Sequence, residues 1–275
     1  RRRSQKNRRK HPRKASKLAR RRLDLELVRR KLVPSRQAAR RALESGRVVV
    51  DGMPSPKASS LVAADVAVTL TGPPARFVSR GGDKLDGALE SFDIDVSGRR
   101  CLDAGASTGG FTDCLLQRGA ASVVALDVGY GQLDWGLRQN DRVTVVERTN
   151  VRHVEPGSFG APFEMVVADL SFISLTTVAP ALAGLGTEGT DFVLLVKPQF
   201  EAGKDDVGRG GVVKDPDIHR ACLERVATAM AAVGYPARSV VRSSLRGPAG
   251  NREFLMWCCR DGVMEDDALD EVVAG

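Results

Sequence analysis

Arg100-Cys101-Leu102-Asp103-Ala104-Gly105-Ala106-Ser107-Thr108-Gly109-Gly110-Phe111 is the stretch on which the fold turns. A short apolar run ends in Asp103. Gly105, Gly109 and Gly110 follow, and an apolar-periodic segment from Phe111 to Leu116 opens a helix. Strand, glycine turn and helix N-terminus in this order let a ligand sit against bare backbone amides. A second apolar run, Val123 to Leu126, ends in Asp127, where a carboxylate is placed to hold the two hydroxyls of a ribose. The glycines do not follow the dinucleotide pattern Gly-x-Gly-x-x-Gly. Asp103 stands where that pattern has its first glycine and would face a pyrophosphate with the wrong sign. It suits a cationic ligand such as S-adenosylmethionine. The candidate cofactor residues are therefore Asp103, Gly105, Ala106, Ser107, Thr108, Gly109, Gly110, Phe111, Asp127 and Val128, with Asp169 from a later strand end. The competing reading is a plain glycine turn with no ligand, in which two acids and three glycines coincide.

Outward from this motif the chain alternates. A helix is expected over Gly131 to Arg138, a strand over Val143 to Val146, and another over Phe163 to Ala168, ending at Asp169. A helix follows from Ile173 to Leu185 with Pro180 inside. The all-apolar run Phe192 to Val196 ends at Lys197. An amphipathic helix covers Asp217 to Val233, and late strands hold Val240-Val241 and Glu253 to Cys258. Continuous apolar strands between helices indicate a parallel sheet buried on both faces. The expected fold class is α/β: a Rossmann-like domain of the class I type, its glycine site suited to S-adenosylmethionine as for a methyltransferase.

The formal net charge is +8, unevenly spread. Residues 1–22 carry thirteen Lys/Arg and no acid, whereas residues 71–275 carry a net −8. Positive charge at one end of a chain with an acidic main domain points to a polyanion partner. No run of about twenty apolar residues is present, and nothing at the start reads as a secretion signal, so a cytoplasmic protein is expected. Five cysteines (Cys101, Cys114, Cys222, Cys258 and Cys259) show neither disulfide spacing nor a metal pattern, which suggests reduced thiols and no metal.

Five segments are expected: a basic tail over residues 1–21, a small RNA-binding module over 22–70, a linker over 71–82, the catalytic domain over 83–260 and an acidic tail or short helix over 261–275. In the second segment, Leu23 to Val28 starts a helix. Pro34-Ser35-Arg36-Gln37 caps the next, which ends at Ser45-Gly46, and Arg47-Val48-Val49-Val50-Asp51-Gly52 is a strand running into a turn. This pattern resembles the S4-type RNA-binding module, a small α+β domain. Arg22, Arg29, Arg30, Ser35, Arg36, Arg40, Arg41 and Arg47 are its candidate RNA contacts.

In open α/β sheets the ligand lies outside the carboxyl ends of the strands. Asp169 and Lys197 end strands there. Glu253 begins a strand read as antiparallel, so it meets the same edge, and Lys84 comes from a helix expected over Lys84 to Phe92. A ribose 2′-hydroxyl is a weak acid, and its attack on an electrophilic methyl needs a base and in-line alignment. Lys197 is the expected base, its pKa lowered by burial and by the second lysine. Asp169 would orient it, and Lys84 and Glu253 would place the hydroxyl. Three further segments are candidates for ligand contact: Gly129-Tyr130-Gly131-Gln132 at the adenine, Gly203 to Val213 as a mobile loop over the RNA, and Arg246 or Asn251 at the target nucleotide.

The succession of the RNA-binding module, Ser79-Arg80-Gly81-Gly82-Asp83-Lys84-Leu85, the glycine motif, Ala168-Asp169-Leu170-Ser171-Phe172-Ile173-Ser174 and Val196-Lys197-Pro198-Gln199-Phe200-Glu201 resembles the TlyA (hemolysin A) family. The resemblance covers residues 22–260. It implies an FtsJ-like domain behind an S4 module, S-adenosylmethionine, and a Lys-Asp-Lys-Glu tetrad on Lys84, Asp169, Lys197 and Glu253. It also implies cytidine riboses of 16S and/or 23S rRNA, within 30S or 50S subunits, as substrates. Phe77 stands where members carry Trp, and the basic extension lies outside the family's usual start. Among the alternatives, amino methylation of a base wants Asn/Asp-Pro-Pro-aromatic, and Asp169-Leu170-Ser171-Phe172 lacks the prolines. Cytosine C5 methylation wants a cysteine nucleophile. A catalytically silent, cofactor-binding assembly factor is the non-enzyme alternative.

Overall fold

The computed structural model describes residues 20–54 and 57–274. Up to residue 19 the expected basic tail lies outside the described residues. Two compact units divide the chain, Arg1–Pro74 and Ala75–Gly275.

In the first unit, β1 (Arg21–Arg22) leads into α1 (Leu23–Arg29), followed by α2 (Arg36–Glu44). Ser35 starts α2 by accepting the Ala38 amide on its side chain at 3.1 Å, the expected N-cap. Then come β2 (Val48–Val50), β3 (Met53–Pro54), β4 (Leu61–Val62) and β5 (Val68–Leu70). β2 pairs antiparallel with β3 and β5, and β1 with β4. Leu23, Leu27, Ala39, Leu43, Val48 and Val68 fill the core. A core this small suits a module of two short helices on a hairpin.

The second unit begins with α3 (Arg80–Ser91), then β6 (Arg100–Ala104), α4 (Gly110–Gln117), β7 (Ser122–Leu126), α5 (Trp135–Arg138), β8 (Val143–Val146), β9 (Phe163–Ala168), α6 (Leu175–Ala183), β10 (Gly186–Val196), α7 (Pro198–Glu201), α8 (Pro216–Ala232), β11 (Ala237–Arg242), β12 (Phe254–Cys258) and α9 (Ala268–Ala274). The seven-stranded sheet has the order β11-β12-β10-β9-β6-β7-β8. β12 runs antiparallel to both neighbours, and the ladders from β10 to β8 are parallel. Helices cover both faces. Leu102, Val124, Val166 and Leu194 point to the α6, α8 and α9 side, while Cys101, Val123, Val167 and Leu195 point to the α3 and α4 side. The chain order reverses between β6 and β9, so the crevice at their carboxyl ends is the topological switch point.

Several boundaries differ from the sequence reading. α3 starts at Arg80 with Ser79 as its cap, one turn ahead of Lys84, which puts Lys84 in the second turn. Gly81-Gly82 reads as linker from composition. It is helical because α4 packs on it: a Cβ at Gly110 would lie 2.9 Å from the Gly82 amide nitrogen, and one at Gly82 2.3 Å from Cγ of Phe77. α5 is a single turn, because Gly131 takes φ +69° and the Asp134 side chain caps at Gly136. β10 extends back to Gly186 through a register shift before Asp191. Of the two readings of residues 261–275, tail or short helix, the second holds over Ala268–Ala274, where α9 buries Leu269 and Val273 in the core. No helix among the described residues is long and apolar enough to cross a membrane.

Gly110→Ala separates two effects of opposite sign. Helix propensity alone favours alanine by about 1 kcal/mol, whereas overpacking against the Gly82 backbone costs about 1–3 kcal/mol. A lower urea midpoint at unchanged m-value is the expected result.

Candidate active site and RNA-binding surface

The loop after β6 is tied to β7: the Gly105 and Ala106 amides donate to the Leu126 carbonyl at 2.8 and 3.0 Å. Asp127, one residue on, accepts the Ser107 amide at 2.8 Å and the Gly129 amide at 2.6 Å. The loop and the acid are thus one unit. Beside them a cavity of ≈ 530 Å³ is lined by Gly105, Ser107, Asp127, Val128 and Asp169 from the expected set. The remaining candidates lie behind it. Ala106 and Phe111 are buried in the α3–α4 core, Gly109 turns at φ +95° against Leu137, Gly110 packs on α3, and the Thr108 carbonyl accepts the Asp134 amide.

Asp103 is fully buried and does not line the cavity. Its Oδ2 accepts the Thr112 amide at 2.8 Å and hydroxyl at 2.6 Å, while Oδ1 is buried with no partner. Burial pushes this carboxyl up to about 7, against the pull of Thr112. A buried unpaired acceptor two residues from the cavity-lining Gly105 fits a ligand that brings a charged N–H donor.

The cavity also takes Gln132, Thr149, Asn150 and Val151, and Leu170 to Ile173 after β9. Gln132 belongs to a segment flagged from sequence, but Thr149 and Asn150 do not. Their signal was a polar pair just past the third parallel strand, readable by the same strand-end rule. Tyr130 is exposed instead, with the Arg148 guanidinium 4.2 Å from its ring centroid. Phe172 sits at φ +64° and is 92% exposed, with its ring 5.1 Å from that of Phe200.

The four tetrad residues arrive as two pairs. Lys197 Nζ lies 2.5 Å from Asp169 Oδ1, an ion pair off the hydrogen-bonding direction, and donates to Ser171 Oγ at 3.0 Å. Lys84 donates to Glu253 inside the protein, where both are buried. The ladder joins the pairs: Val196 opposes Phe254 across β10 and β12, so Lys197 and Glu253 leave the same edge side by side. Asp169 leaves β9 next to them, its amide donating to the Ala104 carbonyl at 2.9 Å. Lys197 also stands 5.8 Å from the Phe200 ring centroid.

Two expected nucleotide contacts have other work. Asn251 is 1% exposed; it accepts the Val213 amide at 2.9 Å and donates to the Gly211 carbonyl at 2.8 Å. It therefore fastens the end of the Gly203 to Val213 segment, which also holds a 3-10 turn at Lys204–Asp206. Arg246 donates to the Gly250 carbonyl, and its own carbonyl accepts from Arg80. The thiols offer no nucleophile. Cys101 and Cys258 are buried inside strands, and burial pushes Cys101 up to about 12 and Cys258 further up.

In the first unit the Ser35 hydroxyl serves the helix cap. Arg22 and Arg36 both donate to Asp24, Arg29 and Arg30 both to Glu26, and Arg47 to the Thr71 and Gly72 carbonyls. Arg40 is exposed on α2 and Arg41 is half-buried.

The profile of the FtsJ-like methyltransferase family matches residues 77–260, and that of the S4 domain matches residues 21–64. A relative from Mycobacterium tuberculosis, the 16S/23S rRNA (cytidine-2′-O)-methyltransferase TlyA, is 53% identical over 86% of this chain and 88% of its own length. One from Campylobacter jejuni, the 23S rRNA (cytidine-2′-O)-methyltransferase TlyA, is 35% identical over 66% of this chain and 70% of its own. The solved structure of a hemolysin-named protein from Streptococcus thermophilus superposes with a TM-score of 0.74 at 39% identity, covering 94% of this chain and 95% of the other. With both domain profiles and the glycine motif in place, the chain belongs to the TlyA (hemolysin A) family of FtsJ-like methyltransferases.

Proposed function

We propose that the chain methylates the ribose 2′-hydroxyl of cytidine in ribosomal RNA, with S-adenosylmethionine as donor. The observation that carries this is the double position of Asp169: it lines the cavity and also pairs with Lys197 at 2.5 Å. A group at the cavity mouth is thereby next to the Lys197 side chain, the candidate base. The residues present fit the donor. Asp127 would take the ribose hydroxyls, and the unpaired Asp103 Oδ1, buried behind the cavity-lining Gly105, would offset the charge of the amino group. When bound, S-adenosylmethionine supplies an electrophilic methyl group.

Lys197, once it has given up its own proton, would accept the 2′-hydroxyl proton and leave that oxygen as the nucleophile toward the methyl group the donor would supply. Asp169 orients the amine and stabilises the ammonium that results. Lys84, held by Glu253, donates toward the hydroxyl oxygen and fixes its line of approach. The S4 unit, residues 22–70 in this reading, would hold the RNA, and residues 83–260 would carry out the transfer. The reading supports a cytoplasmic enzyme acting on ribosomal subunits.

Label transfer from methyl-labelled S-adenosylmethionine to 30S and 50S subunits of an unmodified strain, followed by digestion to nucleosides, tests the assignment. Label should appear in 2′-O-methylcytidine and fall by about 10²–10⁴-fold in Lys197→Ala, with donor binding retained by calorimetry. Label on a base would sink the ribose mechanism, and the subunit carrying label identifies the substrate.

A second expectation concerns pH. A carboxyl raised on folding costs stability progressively as pH climbs from its unfolded value of 3.8 to about 7. An ammonium ligand favours the ionised form. Donor affinity should therefore rise several-fold from about pH 6 to about pH 7.5, and Asp103→Asn should flatten that rise in calorimetric titrations.

A further inference from the structure

Acids buried on a helix of a basic module have the wrong sign for their surroundings. Yet α1 carries two, Asp24 and Glu26, both fully buried. They are not core residues in the usual sense. Leu23 and Leu27 fill the core, and the carboxylates are shielded from water by the guanidiniums lying on them.

Asp24 accepts Nε of Arg22 at 3.0 Å on one oxygen, and Nη2 of Arg22 at 3.1 Å and Nη2 of Arg36 at 3.1 Å on the other. One carboxylate thus fixes an arginine from β1 and another from the start of α2. Glu26 accepts Nε of Arg29 at 2.8 Å and Nη2 of Arg29 at 2.5 Å, and also Nε of Arg30 at 2.7 Å. Arg30 spends its other nitrogens on the Val66 carbonyl at 2.6 Å and the Ala64 carbonyl at 3.0 Å, and its side chain is only 20% exposed. Arg22, Arg29 and Arg36 remain 42%, 47% and 54% exposed. Arg22 and Arg29 spend the Nε–Nη2 edge on the acid and Arg36 its Nη2, which leaves Nη1 of each for another acceptor.

We propose that Asp24 and Glu26 are positioning residues for RNA binding: they lock Arg22, Arg29 and Arg36 into a fixed array that meets the phosphates of one RNA strand, while Arg30 is a brace and makes no RNA contact. The inference rests on the reading of this unit as RNA-binding. A long arginine side chain normally loses its rotamer freedom when it grips a phosphate. Here that freedom is already lost in the free protein, so docking costs less. The arginines also hold both carboxyls down at about 2, so the array is intact at any physiological pH.

Charge and geometry predict opposite outcomes. Each acid cancels one of the two arginine charges on it. If counterion release alone set affinity, Asp24→Asn and Glu26→Gln would bind RNA more tightly, each having gained a positive charge. If the array sets affinity, both bind more weakly. The test is filter binding of the full chain to purified 16S and 23S rRNA across a salt series. Wild-type protein that shows no salt-dependent RNA binding overturns the RNA-binding reading of the unit itself. Given wild-type binding, about 5–10-fold weaker binding by Asp24→Asn, with the salt slope reduced by about one phosphate contact, supports the array. Equal or tighter binding overturns it. Arg36→Lys and Arg29→Lys are surface changes that keep charge and fold while removing the fork. They should weaken binding about 3–10-fold, and Arg30→Gln should leave the salt slope unchanged. If both lysine variants bind like wild type, the proposal fails whatever becomes of the Asp24 variant's stability.

Discussion

The site depends on one close approach. At φ +89° Gly105 brings its Cα so near the β9 loop that a Cβ would stand 2.4 Å from the Asp169 carbonyl oxygen. The same crossing carries the hydrogen bond from the Asp169 amide to the Ala104 carbonyl. A side chain at residue 105 would wedge the two strand ends apart. Without one, the glycine loop and the acid after β9 share a wall of a single cavity. Parallel pairing of β6 with β9 places Ala104 beside Ala168, so the strand ends are level and the next residues of each chain meet. The switch point is therefore a contact between two loops as well as a gap between two helices.

Burying charge is the second constraint. Lys84, Lys197 and Glu253 are each at most 9% exposed, and an isolated ion so placed would neutralise or unfold its surroundings. Pairing solves this with opposite charges from remote parts of the chain. α3 supplies a lysine to the residue before β12, and β10 supplies one to the residue after β9. The antiparallel β12 matters here, because only reversed strand direction lets the start of a strand meet the carboxyl edge. Asn251, just ahead of Glu253, fastens the neighbouring segment at Gly211 and Val213. Glu253 thus approaches from a fixed loop.

The first unit applies the same chemistry on its surface. Carboxylates covered by guanidiniums order side chains that would otherwise sample many rotamers. In both units opposite charges fix geometry, and their contribution to stability is secondary. The thiols are inert by the same desolvation: burial favours the neutral form of Cys101, Cys114 and Cys258, and the sheet treats them as small apolar residues.

Much of this was legible in the chain itself. Apolar runs ending in Asp103, Asp127, Asp169 and Lys197 announced parallel strands and put polar side chains at one edge, because alternating strands and helices leave few other topologies. Ser35 before Arg36 announced a cap. Length and period fixed β8 and β9 to the residue. Tertiary packing decided the rest. Gly81-Gly82 reads as a linker from composition and is helical because Ser79 caps it and Gly110 of α4 packs on its backbone. The late acidic segment reads as a tail or a short helix, and it is a docked helix because Leu269 and Val273 meet the core. Asp103 reads as a ligand-facing acid, yet only the fold shows it sealed beneath its loop with one oxygen unpaired. The seven candidate arginines of the first unit read alike, and only their partners tell the brace Arg30 from the half-exposed Arg22, Arg29 and Arg36. Periodicity reports which way a side chain faces relative to its own element. Which other element comes to meet it is a long-range property, and no local pattern encodes that distance.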